Sequence, residues 1–202
     1  MSTYRTFIAI EIPDPVRCRL KDYLDKLRAA FPDVRASWSR EDNLHLTLKF
    51  LGDVPVSRIQ NLSAACDEAA RATNPFELAI SGTGTFPPHG KPRVLWLGVT
   101  SNRSPAQPSD PRDPLPSLHA ALEAACAARD FAREARPYHP HLTIARLREA
   151  KDARALAEHH RQTNFAPQAF PVLEIVVFRS ELSSKGSKHT ALSRHPIGRA
   201  AH

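Results

Sequence analysis

Cysteine is scarce in this 202-residue chain and forms no recognisable pattern. Cys18, Cys66 and Cys126 are far apart, odd in number and without a C-x-x-C pair. This excludes a disulfide framework and suggests small core residues in a reducing compartment. Long apolar runs are also absent near the start. Phe7-Ile8-Ala9-Ile10 is cut off by Glu11, too short for a signal-peptide core or a membrane span. We therefore expect a cytoplasmic protein with no membrane partner. Acidic residues are outnumbered, 21 Asp and Glu against 28 Lys and Arg, and the formal charge of +7 favours an anionic partner, with nucleic acid foremost. With 42% hydrophobic residues the chain can still build a core.

Short strands and amphipathic helices are both legible. Thr6 to Ile12 is rich in β-formers, and Asp14-Pro15 reads as an N-cap followed by a first-turn proline. Val16, Leu20, Tyr23, Leu24, Leu27 and Phe31 then recur at helical spacing. Residues 43–51 read as a strand ending at Gly52-Asp53, and 57–72 as a second helix. Strands are expected at 76–80 and 94–99, joined by a loop over 82–93 whose glycines and prolines disfavour regular structure. Residues 101–114, SNRSPAQPSDPRDP, read as an exposed linker between two halves. Beyond it come a helix at 115–129, a strand at 140–147, a short helix at 152–161, and a strand at 172–178 with a hairpin partner at 188–193. The hairpin-like pairs argue for an α+β fold rather than a wound parallel sheet.

One short device occurs twice. His45-Leu46-Thr47-Leu48 returns 96 residues later as His141-Leu142-Thr143-Ile144. In a strand, residues two apart share a face at roughly 6–7 Å, so each copy shows His and Thr on one side and buries its aliphatic pair on the other. Two imidazoles and two hydroxyls suit acid/base work on a phosphate, since histidine serves in either protonation state near neutral pH. Thr47 and Thr143 could donate to non-bridging phosphate oxygens, although threonine also suits a strand by propensity alone. His139 and His141 form an H-x-H pair that could hold zinc, but the chemistry needs no metal and no further ligand is adjacent in sequence. His119, His159 and His160 read as solvated helix positions and His89 as a loop residue. Lys49, Arg93, Arg136, Arg146 and Arg148 could instead line a basic groove of a non-catalytic RNA-binding module.

The surroundings of the two copies carry a resemblance. Asn43 to Gly52 (NLHLTLKFLG) and Arg136 to Arg146 (RPYHPHLTIAR), with Arg93 to Val99 and Thr6 to Glu11, resemble the motifs of the two-histidine (2H) phosphoesterases. The branch resembled is the RNA 2',3'-cyclic phosphodiesterases, also called 2'-5' RNA ligases or LigT-like proteins. The resemblance implies an α+β domain over residues 1–202, built of two pseudo-symmetric lobes. Each lobe would be a mainly antiparallel sheet with helices outside, and the active-site cleft would lie between them. It implies hydrolysis of a 2',3'-cyclic phosphate to a 2'-phosphate without metal or cofactor, His141 acting as base on water and His45 protonating O3'. Phe50 and Arg146, five beyond each histidine, would contact the terminal nucleotide and its phosphate. Strict alternation would turn them to the wrong face, so a bulge or a strand end must redirect them if these roles hold. RNA ends or nucleotides bearing a cyclic phosphate would be the partners of a monomer, with ligation as the reverse reaction. A related activity on 2'-5' linkages or other cyclic nucleotides is the near alternative. Lys188-His189-Thr190 departs from relatives that often carry an aromatic there.

Overall fold

Phe7-Ile8-Ala9-Ile10 is buried on both faces, as a strand in the middle of a sheet must be. In the computed structural model, which describes residues 2–101, 113–148, 153–183 and 186–198, this run lies in strand β1 (Thr3–Glu11). Its neighbours are β3 (His45–Pro55) and β8 (Glu174–Ser183), and β9 (Gly186–Pro196) completes a four-stranded sheet of order β3-β1-β8-β9. A second, five-stranded sheet has the order β2-β6-β5-β4-β7. Its strands are β2 (Ala36–Trp38), β4 (Phe76–Phe86), β5 (Val94–Ser101), β6 (His141–Leu147) and β7 (Gln168–Val172). Every pairing is antiparallel, so the expected α+β fold of two antiparallel sheets is the one found.

Helices α1 (Asp14–Ala30), α2 (Ile59–Arg71), α3 (Pro114–Ala127) and α4 (Ala153–Gln162) each deliver an apolar stripe. Those stripes and the inner faces of both sheets meet in one continuous core. On the opposite face of the first sheet, Phe7, Ala9, Val176 and Phe178 form a separate small cluster. That outer face carries the candidate site. Among the described residues no helix is long and apolar enough to cross a membrane.

Several boundaries differ from expectation for identifiable reasons. Pro13 caps α1, while Asp14 lies within its first turn and pairs with Arg17. β3 runs on through Gly52, whose φ of 68° serves an irregularity in the pairing with β1. β4 likewise passes through the expected loop: Gly82 (φ 73°) sits at a register shift, and Gly84 lies under the Trp96 ring, where a Cβ would come within 2.1 Å. The run 172–178 is two strands, since β7 joins the second sheet and β8 the first, with Leu173 exposed between them. Cys18 is exposed, unlike the buried Cys66 and Cys126. Residues 102–112 of the proline-rich stretch lie outside the described residues. The strands on either side of it, β5 and β6, are neighbours in one sheet, so the stretch does not divide the two sheets.

Candidate active site

The two His-x-Thr-x copies open strands β3 and β6, which touch where the sheets meet. Leu46, Leu48, Leu142 and Ile144 all enter the common core, and His45, Thr47, His141 and Thr143 are half-buried on the other side. Because both apolar faces share one core, both polar faces look outward from it. Tyr138, just before β6, ties the strands by donating its hydroxyl to the Thr47 carbonyl at 3.3 Å.

Each strand then slips by one residue. Ile8 pairs with Lys49 but Ala9 with Thr47, leaving Leu48 as the extra residue; Leu95 pairs with Ala145 but Trp96 with Thr143, leaving Ile144 extra. Such bulges re-aim the side chains that follow. Lys49 and Ala145 turn inward, and Phe50 and Arg146 turn out to solvent. The Phe50 ring lies 6.0 Å from Phe7, which is stacked on His45 at 4.7 Å, so Phe50 stands on the histidine face. The slip in β3 thus brings Phe50 onto the histidine face, and the slip in β6 leaves Arg146 exposed to solvent.

The imidazoles are held alike. His45 Nδ1 lies 2.7 Å from the Asn43 carbonyl and His141 Nδ1 lies 2.6 Å from the His139 carbonyl. A carbonyl only accepts, so Nδ1 carries the proton and Nε2 is left for chemistry. Phe7 and Phe178 wall His45; Phe86 stands edge-on to His141 at 5.0 Å, with Trp96 behind it. Burial in this ring-lined setting pushes His45 down to about 4, the neighbouring His189 adds to the fall, and the Asn43 carbonyl opposes it. His141 is also lowered, first by burial and further by the charges of Arg146 and His139, against the His139 carbonyl. In the free protein both surroundings favour the neutral imidazole.

Other candidate residues fall elsewhere. Lys49 is a core residue, its ammonium donating to Glu123 at 2.6 Å and to the Ala132 carbonyl at 2.7 Å. Arg136 pairs with Glu134, and Arg148 donates to Ser37 Oγ. Lys49 is therefore lost to the expected basic groove, whereas Arg93, Arg136, Arg146 and Arg148 stay exposed. His160 is fully buried between the Tyr23 hydroxyl and the Trp96 carbonyl, not solvated. His119 stacks on Tyr138 at 3.9 Å. Sequence reasoning missed the ring walls Phe7, Phe86, Trp96 and Phe178, and it missed His189 as a neighbour of His45, 5.2 Å away. Alternation along β1, β5 and β8 marks which face those rings share, but only the sheet order shows that the face belongs to the histidines. Among the described residues, no three His, Cys, Asp or Glu side chains stand together as metal ligands.

The sequence and the fold have counterparts. A family profile described as the 2'-5' RNA ligase superfamily matches residues 13–183. An RNA 2',3'-cyclic phosphodiesterase from Methanothermobacter thermautotrophicus is 32% identical over 187 residues, covering 92% of this chain and 95% of that protein. One from Geobacillus stearothermophilus is 30% identical over 95% of this chain, which spans 56% of that longer relative. Among solved structures, a Thermus thermophilus protein superposes with a TM-score of 0.75 at 26% identity, covering 97% of this chain and all of that one. Apo Escherichia coli LigT superposes with a TM-score of 0.71 at 26% identity, over 98% and 100% of the two chains, and LigT has also been solved with 3'-AMP and with phosphate. The chain belongs to the 2'-5' RNA ligase superfamily of two-histidine phosphoesterases, enzymes of phosphoric diester hydrolysis.

Proposed function

We propose that the protein is an RNA 2',3'-cyclic phosphodiesterase that opens the cyclic phosphate to a 2'-phosphate end by metal-independent acid/base catalysis. The observation that carries this reading is the matched anchoring of His45 and His141, each with Nδ1 on the carbonyl two residues back and Nε2 without a hydrogen-bond partner among the described residues. The activity named for the relatives above supports the substrate class.

In this mechanism His141 Nε2 takes a proton from water as its oxygen attacks phosphorus. The P–O3' bond breaks on the opposite side, and His45 Nε2 gives its proton to O3'. His45 must therefore be protonated when substrate is bound, although burial keeps it neutral in the free protein. The phosphate's own negative charge supplies the counter-effect, favouring the imidazolium beside it. Thr47 and Thr143 donate to the non-bridging oxygens, Arg146 neutralises charge on them, and Phe50 offers a ring to the base. Ligation is the reverse passage over the same site and is disfavoured in dilute water.

The test uses EDTA-treated protein, a nucleoside 2',3'-cyclic phosphate, and chromatographic separation of 2'- from 3'-phosphate products. Turnover to the 2'-phosphate, abolished in His45→Ala and His141→Ala, is expected. Equal rates in native protein and both variants would sink the proposal.

A further inference from the structure

His45 and His141 are not the only imidazoles on this face. His189 lies on β9 opposite Ser180 of β8 and is half-buried. Its ring stands edge-on to His45 at 5.2 Å and to Phe7 at 4.9 Å, both at 72°. Phe178 closes the third side at 6.4 Å. The strand position is fixed from outside the sheet, since Asn43 Nδ2 donates to the Ser187 carbonyl at 2.7 Å and so links β9 to the turn that precedes His45.

The contrast with the other two rings lies in the nitrogens. His45 and His141 each spend Nδ1 on a backbone carbonyl; among the described residues neither nitrogen of His189 has a hydrogen-bond partner. A half-buried imidazole with both polar atoms unengaged, beside a ring already committed to phosphate chemistry, lacks a partner that substrate can supply. We infer that His189 is a third substrate-contacting imidazole, which takes a proton from solvent as the phosphate arrives and donates it in a hydrogen bond to a phosphate oxygen. This rests on the site being one for phosphate, as proposed above.

The charged surroundings allow such a response. From β3 the titratable group facing His189 is His45, and β1 and β8 present Phe7, Phe178 and Ser180. Farther along the same face Arg194 is already paired with Glu11 and Glu174. The turn before β3 that touches β9 carries Glu41 and Asp42, both exposed, and among the described residues no carboxylate offsets the burial that lowers the proton affinity of His189 in the free protein. An arriving anion reverses that balance for His45 and His189 together.

The experiment is titration calorimetry of the full chain at pH 7 with adenosine 2'-monophosphate, in two buffers of different ionisation enthalpy, for native protein, His189→Phe and His189→Asn. Native protein should take up more protons per ligand than either variant. His189→Phe, which keeps a ring against Phe7, should bind about tenfold or more weakly, the worth of one hydrogen bond to a charged group. His189→Asn, which keeps a donor that cannot titrate, should recover part of the affinity and none of the proton uptake. With a cyclic substrate the loss in His189→Phe should appear in KM. Unchanged uptake and affinity in both variants, a loss confined to kcat, or no binding of the ligand by native protein would each overturn the inference. His189-dependent uptake without any hydrolysis would leave it standing and sink the phosphodiesterase reading instead.

Discussion

Replacing Lys49 by methionine should cost far more stability than one charge on a strand ordinarily would. The side chain is 1% exposed and its ammonium has two acceptors, Glu123 Oε1 and the Ala132 carbonyl. Glu123 is 9% exposed and its second oxygen accepts from the Glu134 amide at 3.2 Å. Methionine fills the volume but leaves the carboxylate buried with one amide donor. Breaking a buried pair from one side costs roughly 3–5 kcal/mol. At about 2–4 °C per kcal/mol for a chain of this size, the melting temperature should fall by roughly 6–20 °C. Much of that cost belongs to the orphaned carboxylate and not to the attraction itself, so Lys49→Met with Glu123→Leu should recover most of it. Thermal melts of the native protein, both single variants and the double variant close the cycle. A loss below about 1 kcal/mol in Lys49→Met, or a double variant as unstable as the two singles added, would refute this account.

The other predictions concern the site. Removing either His45 or His141 as alanine should lower kcat by roughly 10²- to 10⁴-fold with little change in the melt, measured on a cyclic nucleotide. Phe50 is 62% exposed, so Phe50→Ala should leave stability nearly unchanged while raising KM by about 5- to 150-fold, the worth of roughly 1–3 kcal/mol of stacking on a base. Gly84→Ala would drive a methyl into the Trp96 ring beside His141 and should cost about 1–3 kcal/mol together with activity, read by melt and assay on the same sample. Because His45 is lowered to about 4 from its ordinary value of 6.5, the unfolded chain binds more protons than the folded one between those limits. Stability therefore falls as pH drops through that window. The fall between pH 7 and pH 5 should be smaller in His45→Gln than in native protein, and equal slopes would show that His45 is not desolvated.

How far the sequence foretold this site depended on which interactions were local. The alternation in His-Leu-Thr-Leu is a property of one strand, so the faces of His45 and Thr47 could be read directly. The apolar stripe of α1 was legible for the same reason. β2 was not, because a three-residue strand has no period to detect and exists by pairing with β6. The division of 172–178 between two sheets was equally hidden, since which sheet a strand joins is decided by partners far away in the chain.

The bulges show where the boundary falls. In β3 and β6 the six residues from each histidine follow one burial order: half-buried, buried, half-buried, buried, buried, exposed. A strict period of two would put the fifth residue on the histidine face and the sixth in the core. The slip exchanges them, and it is visible only against the neighbouring strands β1 and β5. The inward slot it creates holds Ala145 in one strand and Lys49 in the other. Alanine needs nothing from that slot, whereas an ammonium needs acceptors, and those come from residues 74 and 83 positions away. A lysine letter therefore reads as surface until the packing of α3 and the segment after it is known. The same slip that buries Lys49 turns Phe50 toward the histidines, so the ion pair in the core and the exposed ring at the site are consequences of one backbone irregularity.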